Sequence, residues 1–470
     1  MVYLDSESRE PMYEQLYRIL KEDIATGRIP KGTKMKSLRV MEKELNVSRN
    51  TVDRAYSQLL AEGYVTAVHG TGYFVEDISR DFFEEAETVR SEPVFAAVSP
   101  RKPKVKYDFE YDSIESGLFP WTKWKKCVDE ALLTEACGHE ISYESNKGSL
   151  ALRKALCGFL FRHRGVNCVP EQMIICAGTQ YAMEILTSLL PPGKNRFAYE
   201  EPGYVAMRHY IESKSYAITS VPVVESGVSC EILKKSRCNL LYITPSHQFP
   251  TGTVTSISTR NKLLKWADGK DAYIIENDYD SEFRYGMIPI PSLQSLDKHG
   301  RVIYMNTLSK ILSPSIRCAF LVLPKKLVER YEKKYRYFNS ALPSYHQNAL
   351  ARIVENGTLE RHLRKIAALN EKKYNILADA IKTHLPNSVR IVRYPAGVHT
   401  LIKVIGCKDQ NRLIGRLEQA GVRIYSIKPH CHETEKAYEN TFLMGFNSMS
   451  EEDIRCGCQK MAKVLREEGF

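Results

Sequence analysis

From Pro11 the apolar positions fall at Tyr13, Leu16, Leu20 and Ile24, with Ile19 beside them. This is helical spacing, with Pro11 suited to a first turn and Gly27 to a stop. Gly32, Thr33 and Lys34 turn the chain. Ser37 caps a short second helix ending near Leu45, and Asn46-Val47 makes a tight turn. Ser48 caps a third helix, Arg49 to Glu62, whose inner face is Val52, Ala55, Tyr56 and Leu59. After Gly63 the period shortens. Residues 64–68 and 73–75 read as two strands joined by the glycine turn His69-Gly70-Thr71-Gly72. Three helices and a hairpin predict a winged helix-turn-helix over residues 1–76.

The periodicity then disappears. Asp81-Phe-Phe-Glu-Glu-Ala-Glu is acidic, and Ser99-Pro-Arg-Lys-Pro-Lys-Val-Lys106 is basic and proline-bearing, so residues 77–106 predict a linker. From residue 107 to 470, short apolar runs alternate with helical patterns. The candidate strands are Met173–Ala177, Phe197–Tyr199, Ile218–Val224, Leu240–Thr244, Ala272–Glu276, Val302–Asn306 and Phe320–Leu323. Tyr181–Leu190 and Ser258–Asp268 are helical patterns between them. The alternation predicts an α/β domain, a mainly parallel sheet covered by helices.

Composition narrows the class. The apolar share of 43% is that of a globular chain, and no run reaches the ~18–20 apolar residues of a membrane span. The first residues show no basic stretch followed by an apolar one, so no export signal is expected. Twelve cysteines without a CxxC pair suit free thiols in a reducing cytoplasm. His430-Cys431-His432 and Cys456-Gly-Cys458 match no common zinc spacing, so no metal is expected. A net charge of +11 permits a nucleic-acid partner without requiring one. Its distribution says more: residues 28–54 hold eight bases and three acids. A third helix opening with Ser48, Arg49 and Thr51 suits the major groove. Arg49 can address a guanine edge while Arg39, Ser48 and Thr51 hold phosphates.

Ligands of parallel sheets gather at the carboxyl ends of strands. Those ends carry, in order, Gly178-Thr179-Gln180, Glu200-Glu-Pro-Gly-Tyr204, Pro245-Ser-His247-Gln-Phe-Pro-Thr-Gly252, Asn277-Asp-Tyr279 and Asn306-Thr-Leu-Ser-Lys310. Lysine is seldom buried unless it is paired or used. A desolvated ammonium gives up its proton more easily, which frees an amine for a Schiff base. Thr307, Ser309 and Arg317 can gather round a phosphate. Taken alone, Lys310 also reads as a surface lysine; five signals at successive strand ends argue for a buried one in a cofactor site.

Two resemblances follow from these stretches. Pro11-Met-Tyr-Glu-Gln-Leu16, the run from Ser48 to Tyr64 and Gly70-Thr-Gly-Tyr-Phe-Val75 resemble the DNA-binding domain of GntR-type repressors. That likeness implies double-stranded operator DNA as partner, with Arg39, Ser48, Arg49, Thr51, His69 and Gly70 touching it. Lys36 stands where the family usually has proline. The strand-end groups resemble the site of fold-type I aminotransferases of the aspartate aminotransferase group. Together with Phe119-Pro-Trp121, Ser-His-Gln-Phe-Pro-Thr-Gly252 and Tyr-Asp-Ser-Glu-Phe-Arg-Tyr285, the whole chain looks like a MocR/GabR-type transcriptional regulator.

The resemblance implies pyridoxal 5'-phosphate, held as an internal aldimine on Lys310. Tyr204 stacks on the ring and Tyr279 approaches O3′. Thr179, Gln180, Ser309 and Arg317 form the phosphate cup, and His247 and Asn277 also belong to the cofactor site. A domain-swapped homodimer is implied as well. This chain departs from the pattern at two main places. Asn277 stands where relatives place the aspartate that protonates the pyridine nitrogen, and an amide cannot supply that charge. Leu443 stands where an arginine commonly clamps the substrate carboxylate. Arg423, Lys428 or His430 could replace it. Asn306 and Ser315 replace expected glycines. The expected protein is therefore a cytoplasmic regulator that senses a small amine or amino acid, or the vitamin, by aldimine exchange with little or no turnover. A working aminotransferase on a DNA tether is the alternative.

Overall fold

A computed structural model of the chain describes residues 4–5, 8, 10–78, 105–138, 143–283, 285, 290–392 and 396–470. Most of the expected linker, residues 79–104, lies outside the described residues. The chain divides into two compact units, Met1–Pro103 and Lys104–Phe470.

The first unit is a winged helix-turn-helix. It holds α1 (Met12–Ala25), α2 (Leu38–Leu45), α3 (Arg49–Ala61), β1 (Val65–Val68) and β2 (Gly72–Val75). The 3.6-residue period puts Leu16, Leu20 and Ile24 of α1 on one stripe. That stripe packs in one core with Val52, Ala55, Tyr56 and Leu59 of α3. Asn46, with φ of 52°, ends α2 in the left-handed region. The hairpin is antiparallel, with Val65 opposite Val75 and Val68 opposite Gly72. Ser48 caps α3, its hydroxyl accepting from the Thr51 amide at 3.1 Å. Ser48→Ala removes that acceptor, leaves the amide only the Ser48 carbonyl at 3.0 Å, and is expected to cost this unit about 1 kcal/mol, read by chemical denaturation.

The second unit opens with β3 (Tyr107–Asp108), paired in parallel with β14 (Val422–Arg423). Its main sheet has eight strands. In spatial order they are β4 (Met173–Cys176), β11 (Ala319–Val322), β10 (Val302–Thr307), β9 (Tyr273–Asn277), β8 (Leu240–Ile243), β5 (Phe197–Glu201), β6 (Ile218–Val224) and β7 (Gly227–Val228). From β10 to β6 every pairing is parallel. β11 runs antiparallel to both of its neighbours. Except for β6, the strands are buried along their length, and most read as largely apolar runs. Alternation still sorts them: Ile174, Ile275, Ile303 and Met305 share one core, while Ile274 and Tyr304 face others. A smaller antiparallel sheet follows, in the order β12 (Val389–Ile391), β13 (His399–Val404), β16 (Thr441–Gly445), β15 (Tyr425–Ser426). Among the described residues no helix is long and apolar enough to cross a membrane, and no cluster of three metal-ligating side chains occurs.

Candidate functional site

The carboxyl ends of β4, β8, β9 and β10 converge on a cavity of about 270 Å³. Its walls include Thr179, Tyr204, Asn277, Tyr279, Ser309, Lys310 and Arg317, all read from the sequence as site residues. Arg317 joins them because β11 runs backwards: the residues just before its first residue, Ala319, lie at the same edge of the sheet as the ends of the parallel strands. Gln180 is absent from this wall. It lines a smaller neighbouring cavity of about 170 Å³ together with Thr179, Tyr204 and Arg317. His247 stands one layer behind, with Nδ1 2.7 Å from Asp280 and 3.4 Å from the Tyr279 hydroxyl.

β9 shows why neighbours in sequence part company. Asn277 lies on the face of Tyr273 and Ile275 and lines the cavity. Its Nδ2 donates to the Tyr242 hydroxyl at 2.7 Å, and its Oδ1 is buried without a partner. Asp278 turns to the opposite face. It receives Arg164 Nε at 2.7 Å and the Tyr304 hydroxyl at 2.7 Å. Burial would raise the Asp278 pKa, but the Arg164 charge and the hydrogen bonds from Arg164, Tyr304 and Ser246 outweigh it and hold the carboxyl ionised. Asn306 follows the same logic on β10: its Nδ2 donates to Tyr304 at 3.0 Å.

Lys310 corrects the expectation of a desolvated amine. Its side chain is 18% exposed. Its Nζ donates to Asp112 Oδ1 at 2.7 Å and lies 3.4 Å from the Tyr111 carbonyl, in a segment 198 to 199 residues away in sequence. Gly445 allows that segment to approach. Its amide donates to the Phe109 carbonyl at 2.8 Å, and a Cβ there would lie 2.1 Å from the Glu110 carbonyl oxygen. Thr244 and Phe249, at and after the end of β8, also line the cavity, as do Tyr111, Asp112 and His399, which carry no signal in the sequence. Tyr111 and Asp112 follow the linker in a short polar stretch with no strand-end signal, and His399 begins a strand rather than ending one.

The turn between β4 and the next helix, Thr179–Leu189, is built around Gly178. Its φ is 100°, and a Cβ there would sit 2.4 Å from Arg317 Nη2. Arg317 Nη2 in turn donates to the Ala177 carbonyl at 3.2 Å. A helix N-terminus with an adjoining guanidinium is suited to an anion.

The position expected to carry a carboxylate clamp is apolar. Leu443 is fully buried and packs with Phe249, Leu401 and Ile427. Arg423, one of its suggested replacements, is buried and committed to Glu418 at 2.7 Å and Asp108 at 3.0 Å. His430 is buried against Phe249, with ring centroids 4.9 Å apart.

In the first unit Arg39, Ser48, Arg49, His69 and Gly70 are exposed and Thr51 is half-buried. The Ser48 and Thr51 hydroxyls also bond each other at 2.8 Å. Lys36 is exposed and paired at the surface with Glu44.

The two units define a class: a DNA-binding head of the winged helix-turn-helix kind and an aminotransferase-like body. Comparison with known proteins bears this out. Residues 12–75 match the bacterial regulatory protein gntR family, and residues 113–429 match aminotransferase class I and II. The chain is 36% identical to the uncharacterized HTH-type transcriptional regulator YdeL of Bacillus subtilis, over 96% of each chain. It is 32% identical to the Probable rhizopine catabolism regulatory protein MocR of Rhizobium meliloti, over 86% of this chain and 84% of that one. The multiple substrate aminotransferase of Thermococcus profundus shares the fold, with a TM-score of 0.70 and 23% identity over 83% of this chain and 96% of that one. The chain belongs to the MocR-type transcriptional regulators, in which a GntR domain is joined to an aminotransferase class I and II domain. Pyridoxal phosphate is the cofactor of that aminotransferase fold.

Proposed function

We propose that the large unit binds pyridoxal phosphate through Lys310 and reports the arrival of a small primary amine to the DNA-binding unit. The observation that carries this reading is the convergence of Lys310, the Gly178–Arg317 cradle and Asn277 on one cavity. These residues fit the cofactor on three counts. Gly178, Thr179, Ser309 and Arg317 offer an anion cradle that a Cβ at residue 178 would fill. The amide of Asn277 is a neutral polar group on the same wall; only its Nδ2, here bonded to Tyr242, can donate to an uncharged ring nitrogen. Lys310 supplies the amine, while Tyr204 and Tyr279 supply rings on the same wall.

When bound, the group supplies an aldehyde that links reversibly to primary amines, so an incoming amine can take the place of the lysine. Asn277 hydrogen-bonds but carries no charge, so it does not hold a proton on the ring nitrogen as a carboxylate would. That favours exchange of amines over proton abstraction, and it favours a sensor over an enzyme. Lys310, once released, has Asp112 and the Tyr111 carbonyl within reach. That segment leads back along the chain to the linker and the DNA-binding unit, which gives the exchange a route to the operator. The protein works in the cytoplasm, as a domain-swapped homodimer whose paired heads read an operator through Arg39, Arg49 and the Gly70 turn.

The test is to load the full chain with pyridoxal phosphate and follow its absorbance and operator binding while adding amines. A bound chromophore that shifts with an amine, together with a change in operator affinity, is the expected result. Sustained production of keto acid over many turnovers would instead make it an aminotransferase. Gly178→Ala, which must displace Arg317 or strain the turn, is expected to weaken cofactor binding at least ~10-fold, measured by equilibrium titration.

A further inference from the structure

The reading above leaves the effector's second functional group open, and the cavity wall narrows it. Resting on that reading, we propose that the effector is a primary amine without a carboxylate, ending in an apolar or aromatic group.

The argument is a census of what meets the ligand. Among the described residues lining the cavity, the cationic side chains are Lys310 and Arg317. Lys310 is the attachment point, and Arg317 belongs to the cradle beside Gly178. The same wall carries an anion, Asp112, whose carboxylate lies 2.7 Å from Lys310 Nζ. An amine that reaches the lysine's position brings its substituent close to that carboxylate. A carboxylate substituent would meet a like charge at short range.

Next to Asp112 the surroundings are aromatic and aliphatic. Phe249, Leu401, Ile427 and Leu443 form one buried cluster, and Tyr111 and Tyr204 pack against it. Tyr111, Tyr204 and Phe249 are also cavity walls. An anion entering such surroundings loses its hydration and meets no cationic partner in return. An apolar tail there gains from burial.

Arg423 and two histidines near the cluster do not reverse this. Arg423 is occupied by Glu418 and Asp108. Burial drives His430 down to about 4, so at neutral pH it carries no charge to offer. Burial also lowers His399 well below its ordinary value, with His247 and Lys310 adding to the effect.

The test uses pairs that differ only in the carboxylate: phenethylamine against phenylalanine, and isoamylamine against leucine. The cofactor-loaded full chain is titrated with each, reading visible absorbance and the thermal unfolding midpoint. The expected result is half-saturation by each amine at a concentration at least ~10-fold below that of its amino acid. Asp112→Asn is expected to narrow the gap several-fold by strengthening amino-acid binding, and Leu443→Arg to reverse it. Should an arginine at the buried position 443 prevent folding, the exposed side chain of Asp112 still allows the decision. An amino acid binding as tightly as its amine, or a gap unmoved in Asp112→Asn, overturns the proposal. A loaded chain that responds to neither member of any pair overturns the sensing reading as well.

Discussion

Lys310→Ala protein mixed with pyridoxal phosphate is expected to show no visible band of lysine-bound cofactor, and its operator affinity should no longer respond to amines. The lysine is the cavity's amine, and alanine leaves nothing for an aldehyde to join. The cradle at Gly178 and Arg317 remains, so residual binding should be weak and non-covalent. Thermal unfolding gives an independent measure. A ligand present at about 100 times its dissociation constant adds about 2.7 kcal/mol to stability, and the variant should forfeit most of that gain. Basal operator binding should persist, because the α3 face lies in the other compact unit. A variant that keeps both the band and the amine response would mean that another residue holds the cofactor.

The second large effect concerns stability. Arg164 and Asp278 have side chains with no solvent exposure and lie 2.7 Å apart. Arg164 also donates to Ser246 at 2.7 Å. Arg164→Met leaves the carboxylate buried without its main partner, which is expected to cost about 3–5 kcal/mol. Removing both charges, in Arg164→Met with Asp278→Leu, should recover much of the loss, since a buried pair contributes little over an apolar replacement. Denaturant midpoints of the two single variants and the double variant measure the coupling. A loss below about 1 kcal/mol in Arg164→Met would place the pair with ordinary surface bridges. Because Asp278 directly follows Asn277 and is itself held by Arg164 and Tyr304, the single variant should also loosen Asn277 and weaken cofactor binding.

Much of this was legible along the chain. Winged helix-turn-helix elements are short and local, and their apolar periods, caps and glycine turn are written in consecutive residues. Ser48 and Asn46 do structurally what their side chains predict. Except for β6, the strands of the main sheet are buried along their length, so most begin as apolar runs that polar stretches follow. Counting strand ends located Thr179, Tyr204, Asn277, Tyr279, Ser309 and Lys310 on one cavity. The contrast between Asn277 and Asp278 followed from the two-residue period of a strand.

What the sequence does not show is which side chains meet once the chain is folded. Arg423 was a candidate for a carboxylate until Glu418 and Asp108 were found around it. His247 stands behind the wall because Asp280 holds it there. Asp112 carried no signal, since only the close passage of its segment over Gly445 brings it to Lys310.

The sequence by itself determined the two kinds of domain, their order, most strands and helices, and the strand-end stretches that carry the cavity wall. These depend on hydrophobic period and turn chemistry, which act between near neighbours. Only the tertiary structure decided which charges are already spent, which carboxylate stands beside the lysine, and that an apolar cluster surrounds Leu443. Those depend on which distant segments meet, and side-chain charge is neutralised or exposed by partners that no local pattern encodes.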